Sequence, residues 1–221
     1  MLWHKIQGAA GAGGISFVDV GTSTTSGDDV IITVPTHVEG DLLLVRVTTR
    51  DNGSQTWATP AGWTVLNDGM TPGSMETDPG VFYKIAGASE PATVTFTVSS
   101  AKTPMGGIML SYSGANAASL DPITSFGGEP PSAINTTTAI SAGEVLVCMA
   151  GLYTSNKITV FTITDGVTAG DERIEQVYTY SGNKLTIMAT EFTDPSVTTT
   201  SVTTTTYSDV DYHAVTNVIL S

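Results

Sequence analysis

The stretch GDLLLVRVTTR, residues 40–50, has the pattern of a β-strand that is buried on both sides. Successive side chains of a strand point to opposite faces of the sheet. The predicted faces are Leu42, Leu44 and Arg46 on one side and Leu43, Val45 and Val47 on the other. Because apolar residues on both faces need cover on both, the strand is predicted to lie inside a layered β-structure.

A similar pattern returns later in the chain. VEGDLLLVRV (38–47) is echoed by SAGEVLVCMA (141–150), each with a glycine and an acid before an apolar strand. SEPATVTFTVSS (89–100) is echoed by TDPSVTTTSVTT (193–204), each with an acid–proline corner before a threonine-rich strand. The offsets are 103 residues for the glycines and 104 for the prolines. Two half-domains that share one core are therefore predicted, with chance similarity between threonine-rich strands as the alternative.

Short apolar runs fill most of the remaining chain, and clusters of Gly, Pro, Asn and Asp separate them. About ten to twelve strands at this spacing predict an all-β protein. The predicted fold is a two-sheet jelly-roll-like β-sandwich, with two pseudo-repeated halves as its candidate construction. We divide the chain into an N-terminal arm and glycine hinge at 1–14 and a single β-sandwich domain at 15–221, with pseudo-halves at about 15–118 and 119–221.

The net charge is strongly acidic and limits the classes of partner. The chain has 221 residues and a formal charge of −13, from 8 Lys and Arg against 21 Asp and Glu. Nucleic-acid binding needs cations that neutralise phosphates, and anionic membrane surfaces also attract cations. No apolar run is long enough to span a bilayer. Neither nucleic acid nor membrane is expected as a partner.

The glycine-rich run QGAAGAGGIS (7–16) is interpreted as a hinge. A phosphate-binding loop needs a strand before it and a helix after it, and only seven residues precede Gly8. MLWHKIQ (1–7) lacks the apolar core of a secretion signal. The segment is therefore predicted to be a short arm whose apolar residues Leu2, Trp3 and Ile6 bind a partner, with a frayed terminus as the alternative.

Catalytic motifs are not found, and we expect neither an enzyme nor a bound cofactor. No serine lies in a Gly-x-Ser-x-Gly elbow. The 21 acids supply many carboxylate pairs, but none lies in a motif that requires one. Cys148 lies in the apolar run EVLVCMA and is predicted to be a small buried hydrophobe.

Two sets of residues could hold a metal ion, but the simpler interpretation is favoured for both. Asp209, Asp211 and His213 alternate, so on a strand they share one face. A solvated strand face is favoured over a metal site there. The acidic turns at 28–29, 67–69 and 171–172 match no calcium-loop spacing and are predicted to be exposed turns. No metal site is predicted.

Two proline motifs are interpreted as folding devices. In TPAGW, Pro60 and Gly62 set a turn that places Trp63 at the start of a strand. In Glu90–Pro91, the proline keeps residue 90 extended and ends a strand, because proline cannot donate to a sheet.

The first half of the chain resembles a group of bacteriophage virion proteins of jelly-roll or sandwich type. Their recurring pattern is Gly-Asp-Leu-Leu, Thr-Pro-x-Gly-Trp, an aromatic strand, Glu-Pro, and a strand that ends Tyr-Ser-Gly. The matching residues are Gly40–Leu43, Thr59–Trp63, Phe82–Tyr83, Glu90–Pro91 and Tyr112–Gly114. The likeness covers about residues 30–125, and the second half is similar only through the internal echo.

This resemblance implies a non-enzymatic structural protein of a tailed-phage virion. The expected role is a capsid decoration or cement protein on the outer head surface, with the major capsid protein and its own copies, as a homo-trimer, as partners. The alternative is a tail or fibre subunit that binds host-surface glycans, in which Trp57 and Trp63 would stack on sugar rings. A carbohydrate-active enzyme on a sandwich scaffold is the least favoured interpretation.

Overall fold

The computed structural model describes residues 14–50, 55–68, 78–100, 104–127, 134–136, 141–154, 160–164, 171–181, 183–193, 200–205 and 210–221. In 120–127, 134–136, 160–164, 200–205 and 210–215, and at 152, 154, 180 and 183, it describes the backbone alone. All regular structure within these residues is β, which confirms the predicted fold class. The described residues contain no helix long and apolar enough to cross a membrane.

The strands fall into two series along the chain. The first series is β1 Ser16–Ser26, β2 Asp29–Thr33, β3 Leu42–Thr49, β4 Thr64–Asp68, β5 Asp78–Ile85, β6 Thr93–Thr97 and β7 Met105–Ser113. The second is β8 Ala118–Gly127, β9 Ile134–Thr136, β10 Val145–Thr154, β11 Val160–Thr164, β12 Asp171–Tyr180, β13 Asn183–Phe192, β14 Thr200–Thr205 and β15 Val210–Leu220. We call the two series the first half and the second half.

The strands form three antiparallel sheets. A seven-stranded sheet has the order β4-β5-β3-β7-β1-β2-β6, a five-stranded sheet β12-β13-β10-β15-β8, and a three-stranded sheet β11-β14-β9. In the largest sheet, the first part of β1 pairs with β7 and its last four residues pair with β2. Side chains of β2 and β6 pack against those of β3, β5 and β7, so this sheet folds over on itself.

The two halves repeat one strand order. The run β4-β5-β3-β7-β1 in the first half corresponds to β12-β13-β10-β15-β8 in the second, and β2 and β6 correspond to β9 and β14. β11, which pairs with β14, has its counterpart in the isolated bridge between Trp57 and Val98, the residue after β6. The structure therefore bears out the two-half construction through its pairing.

Local details repeat as well, and they explain the sequence echo. Gly40 and Gly143 have φ angles of 93° and 95°, a conformation that favours glycine. The next residue closes the same turn in both halves: Asp41 Oδ2 accepts the Val38 N–H at 2.9 Å, and Glu144 Oε2 accepts the Ser141 N–H at 2.6 Å. The glycine–acid pair is thus the turn that starts β3 and β10.

A shared core joins the two halves. The five-stranded sheet packs against the run β4-β5-β3-β7-β1 of the seven-stranded sheet. The two runs lie in reverse order, so β4 lies near β8 and β1 near β12. This core contains Leu42, Leu44, Val81, Ile108, Leu110 and Tyr112 from the first half and Val145, Val147, Met149, Leu185, Ile187, Ala189, Val218 and Leu220 from the second. The predicted faces of β3 are confirmed, because Leu42 and Leu44 face this core.

A second core lies inside the first half, under the fold of the seven-stranded sheet. It contains Val30, Ile32, Leu43, Val45, Val47, Trp57, Trp63, Phe82, Phe96 and Met109, among others. The sequence predicted the shared core only. The first half therefore has two buried apolar layers, and β3 lies between them with both of its faces covered.

The corner at Glu90 and Pro91 is held by the glutamate. The Glu90 carboxylate accepts the Gly87 N–H at 2.7 Å and pairs with Lys84 Nζ at 2.9 Å. Burial raises the pKa of Glu90, but the Gly87 N–H and the Lys84 charge outweigh burial and leave that pKa lowered. The corner is thus held by the glutamate, whereas the predicted strand end is not there, because β5 ends at Ile85 and the proline precedes β6.

Candidate interaction surface

The predicted arm lies outside the described residues. Leu2, Trp3 and Ile6 are among residues 1–13, and the described chain starts at Gly14. Their role in binding a partner therefore stays a prediction. The described chain enters the body directly after this point, because Ile15 is buried in the shared core.

Trp57 and Trp63 are both in the core of the first half. The Trp57 side chain is 3% exposed, its Nε1 donates to the Asp78 carbonyl at 3.1 Å, and its ring lies against Gly80. Trp63 is 9% exposed and packs edge-on against Phe96, with ring centroids 5.4 Å apart. Neither ring presents an open face in this structure. Sugar stacking by these residues stays a prediction to which their burial lends no support.

The other residues with reactive or metal-binding side chains are mostly buried or lie outside the described part of the chain. Cys148 is fully buried, and desolvation raises its pKa to about 12, so the thiol is protonated at neutral pH. Asp209 is not described, and Asp211 and His213 are described by backbone only. His37 Nδ1 lies 2.7 Å from the Pro35 carbonyl oxygen. Among the described residues, no group of three His, Cys, Asp or Glu could hold a metal ion.

Arg46 is a buried contact between the halves. Its Nη1 donates to the Met149 carbonyl at 2.7 Å and to Thr216 Oγ1 at 3.1 Å, across the shared core. Gly151 leaves room for the guanidinium, since a Cβ there would lie 3.0 Å from Arg46 Nη2. Burial lowers the pKa of Arg46 to about 9. The polar contacts of this arginine connect the two sheets.

Tyr178 is a second contact between the halves. Its hydroxyl donates to the Gly107 carbonyl at 2.6 Å and accepts from Ser23 Oγ at 3.0 Å. The ring covers Gly106, where any Cβ would overlap it. Burial raises the pKa of Tyr178. Gly106 thus gives the Tyr178 ring a place to pack, and the Gly107 carbonyl holds its hydroxyl.

Arg173 forms a third contact, at the start of β12. Its Nε and Nη2 donate to the two carboxylate oxygens of Glu191 at 3.0 and 2.8 Å, and both side chains are 3% exposed. The guanidinium lies 4.9 Å from the ring centroid of Phe17 in the first half. Burial lowers the pKa of Arg173, but the hydrogen bonds and charge of Glu191 outweigh burial and raise it. Burial, and next the charge of Glu191, raise the pKa of the nearby Tyr112 well above its usual value.

The bulged position of Arg173 also shows how the halves differ. β4 and β12 both carry a β-bulge, between Val65 and Asn67 in the first and between Glu172 and Ile174 in the second. The extra residue is Leu66 in β4, which packs against the shared core. One half therefore fills this position with a leucine and the other with a buried ion pair.

The outer edge of β12 is the open, acidic surface of this end of the protein. Within the described residues β12 pairs only with β13. Its exposed side chains are Asp171, Glu172, Glu175, Val177 and Thr179. Burial, and then the charge of Glu172, raise the pKa of Glu175. Arg173, the one cation of β12, points to the interior and pairs with Glu191. The edge of β12 therefore exposes acids to solvent.

The described cations are few at the surface. Arg46 is fully buried, the Arg173 side chain is 3% exposed, and Lys84 is paired with Glu90. The other described cations, Arg50 and Lys184, are half-buried. The buried cations are offset by buried acids, because Asp41, Asp78 and Glu191 are buried as well, so the exterior keeps the acidic balance of the sequence. Such a surface attracts basic partners and repels acidic ones.

At a significant level, no protein-family model, no curated protein and no solved structure matches this chain. The likeness to phage virion proteins rests on the quoted motifs alone. The role that it implies is a proposal.

Proposed function

We propose that this chain is a non-enzymatic structural protein of a tailed-phage virion that decorates the outer capsid surface as a cement protein. The observation that supports it best is the doubled body, in which two repeats of one β-fold are joined through a shared core, the hydrogen bonds of Arg46 and Tyr178, and the contact of Arg173 with the Phe17 ring. A rigid body with internally paired strands suits a permanent particle component, because its sheet edges and loops remain free to contact other proteins of the particle.

The proposed partners are the major capsid protein and other copies of this chain, with trimers at threefold positions of the shell. Weak contacts repeated on a symmetric surface add up through avidity. The arm residues Leu2, Trp3 and Ile6 are the proposed anchor to the shell. Glycan binding by a tail or fibre subunit remains the alternative, and a glycan array would detect it.

Reconstitution on particles tests this role. Particles that lack the chain are mixed with limiting amounts of wild-type protein or of the Trp3→Ala variant, and bound copies are counted by quantitative mass spectrometry. Burial of a large side chain contributes about 1.5–3 kcal/mol, so we expect about a tenfold or greater loss of affinity.

Val38→Ala is the matched control, because Val38 is an apolar residue of the body that is 66% exposed. We expect this variant to bind as the wild type does. Equal occupancy of the wild type and Trp3→Ala would reject the anchoring role of the arm. Absence of any binding by the wild-type chain would reject the capsid role itself.

A further inference from the structure

We propose that a shelf beside β12 is the docking site for an extended segment of another protein, in which lysine or arginine alternates with apolar residues. The shelf is formed by the edge of β12 that faces away from β13, from Ile174 to Tyr180, and by the outward face of β2 around Ile31. The segment adds to β12 as one more antiparallel strand. This inference does not depend on the virion role, because it rests on the described body of the chain alone.

The backbone of β12 supplies the hydrogen-bonding groups of the shelf. β12 and β13 are joined by a two-residue turn that closes on the pair Tyr180 and Asn183. Alternate residues before Tyr180 bond to β13, so Glu175, Val177 and Thr179 direct their N–H and C=O groups away from it. An added strand gains its affinity from such a row of outward groups.

The floor of the shelf is the outward face of β2. β12 lies over β1, where the Tyr178 hydroxyl accepts from Ser23 Oγ at 3.0 Å, and β2 is the next strand after β1 in the seven-stranded sheet. A strand added to β12 is therefore placed above β2. Ile31 is half-buried on the face of β2 opposite to the second core, and Thr24 and Thr33 beside it are exposed. The floor is thus apolar at its centre and bordered by hydroxyl groups.

The two sides of β12 set the chemistry of the segment. On the solvent side β12 exposes Glu172 and Glu175, and opposite charges on neighbouring strands stabilise their pairing. Basic side chains of the segment are therefore expected on this side. On the other side Ile174 and Tyr178 pack against the shared core. The side chains of the segment that meet them and Ile31 are expected to be apolar, so basic and apolar residues alternate along it.

The charges of the chain favour another protein over a second copy. The β12 strands of two copies would repel each other through Glu172 and Glu175. The cations on the described strands are buried, paired with an acid or on an inner strand: Arg46, Lys84, Arg173 and Lys184. The described strands of a second copy therefore offer no basic edge to the shelf.

Peptide binding tests the docking. The probe is a fluorescein-labelled peptide of alternating lysine and valine, as long as the stretch from Ile174 to Tyr180, and its anisotropy is followed as the full-length chain is added. One matched peptide has glutamate in place of lysine, and we expect it not to bind. A second keeps the lysines but carries N-methyl groups on its backbone amides. We expect its binding to be weaker by about tenfold or more, because it has lost hydrogen-bond donors.

Variants of the protein locate the site. Val177→Pro removes an outward N–H and leaves the bonds to β13 intact, and proline is tolerated at such positions of edge strands. We expect it to weaken binding of the lysine peptide about tenfold. Glu175→Gln is expected to weaken it roughly two- to fivefold, the usual range for an exposed ion pair. Glu39→Gln is the matched control, an exposed acid away from β12, and we expect it to bind as the wild type does.

Four results would overturn the proposal. The wild-type chain could leave the lysine peptide unbound, as it would if another segment of the same chain already occupied the edge. The N-methylated peptide could bind as well as the lysine peptide, or Val177→Pro could bind it unchanged, and either would reduce the interaction to attraction between charges. Equal weakening by Glu175→Gln and Glu39→Gln would place the binding away from β12.

Discussion

Arg173→Ala is expected to lower the free energy of unfolding by about 3–5 kcal/mol, because it leaves a buried carboxylate without its partner. Glu191 is 4% exposed, and both of its oxygens accept hydrogen bonds from the Arg173 guanidinium. The substitution also removes the cation that lies over the Phe17 ring and so loosens a contact between the halves. For a chain of this length, the expected fall in Tm is roughly 6–20 °C.

A paired variant separates the buried charge from the packing at this position. Arg173→Met combined with Glu191→Met removes both charges and keeps apolar volume, and such replacements are often neutral or stabilising. The first half shows that the position accepts an apolar residue, because Leu66 fills the equivalent bulge. We expect the double variant to be within about 1 kcal/mol of wild type in urea denaturation. A double variant as unstable as Arg173→Ala would show that the ion pair itself is required.

Gly106→Ala is expected to destabilise the protein by about 3 kcal/mol, because its methyl group would overlap the Tyr178 ring. Overpacking of this kind costs about 1–3 kcal/mol. The ring cannot move aside freely, since its hydroxyl is held by Gly107 and Ser23. Displacing it also weakens two hydrogen bonds of about 1 kcal/mol each. Gly87→Ala is the matched control, because a Cβ at Gly87 would meet one atom, at 3.6 Å, and its effect is expected to be small.

The same variant tests whether the halves unfold together. Trp57 and Trp63 are both in the first half, and the third tryptophan is Trp3 of the arm. In a Trp3→Phe background tryptophan fluorescence therefore follows the first half, whereas far-ultraviolet circular dichroism follows all strands. Because Gly106 and Tyr178 join the halves through the shared core, we expect both transitions to shift together. A fluorescence transition that stays in place while the dichroism transition splits would show two independent halves.

Most of the fold could be predicted from the sequence, because the alternation of strands and the turn motifs are local features of the chain. The alternation in residues 42–47 predicted both faces of β3, and both are covered as expected. The glycine–acid echo at Gly40 and Gly143 marked the same turn in each half. Strand order and the second core depend on long-range pairing, for which one sequence carries no direct signal.

The candidate surface was harder to predict from the sequence than the fold. Trp57 and Trp63 suggested a sugar-binding face, but aromatic residues serve cores and surfaces alike, and burial placed both rings inside. Arg173 gave no sign in the sequence that it would pair with Glu191 on the next strand, since the bulge at this position depends on the pairing with β13. The acids at 171–172 were predicted to be an exposed turn; they are exposed, but they belong to an edge strand.

The copy number of the chain in purified virions tests the proposed role most directly. Under the proposed role the gene for this chain belongs to a phage genome; particles of that phage are purified, and the chain is quantified by mass spectrometry against the major capsid protein. A cement protein on a symmetric shell is predicted to be present in on the order of hundreds of copies per particle. A handful of copies would contradict the capsid role and favour the tail, and complete absence from the particle would contradict a structural role in the virion.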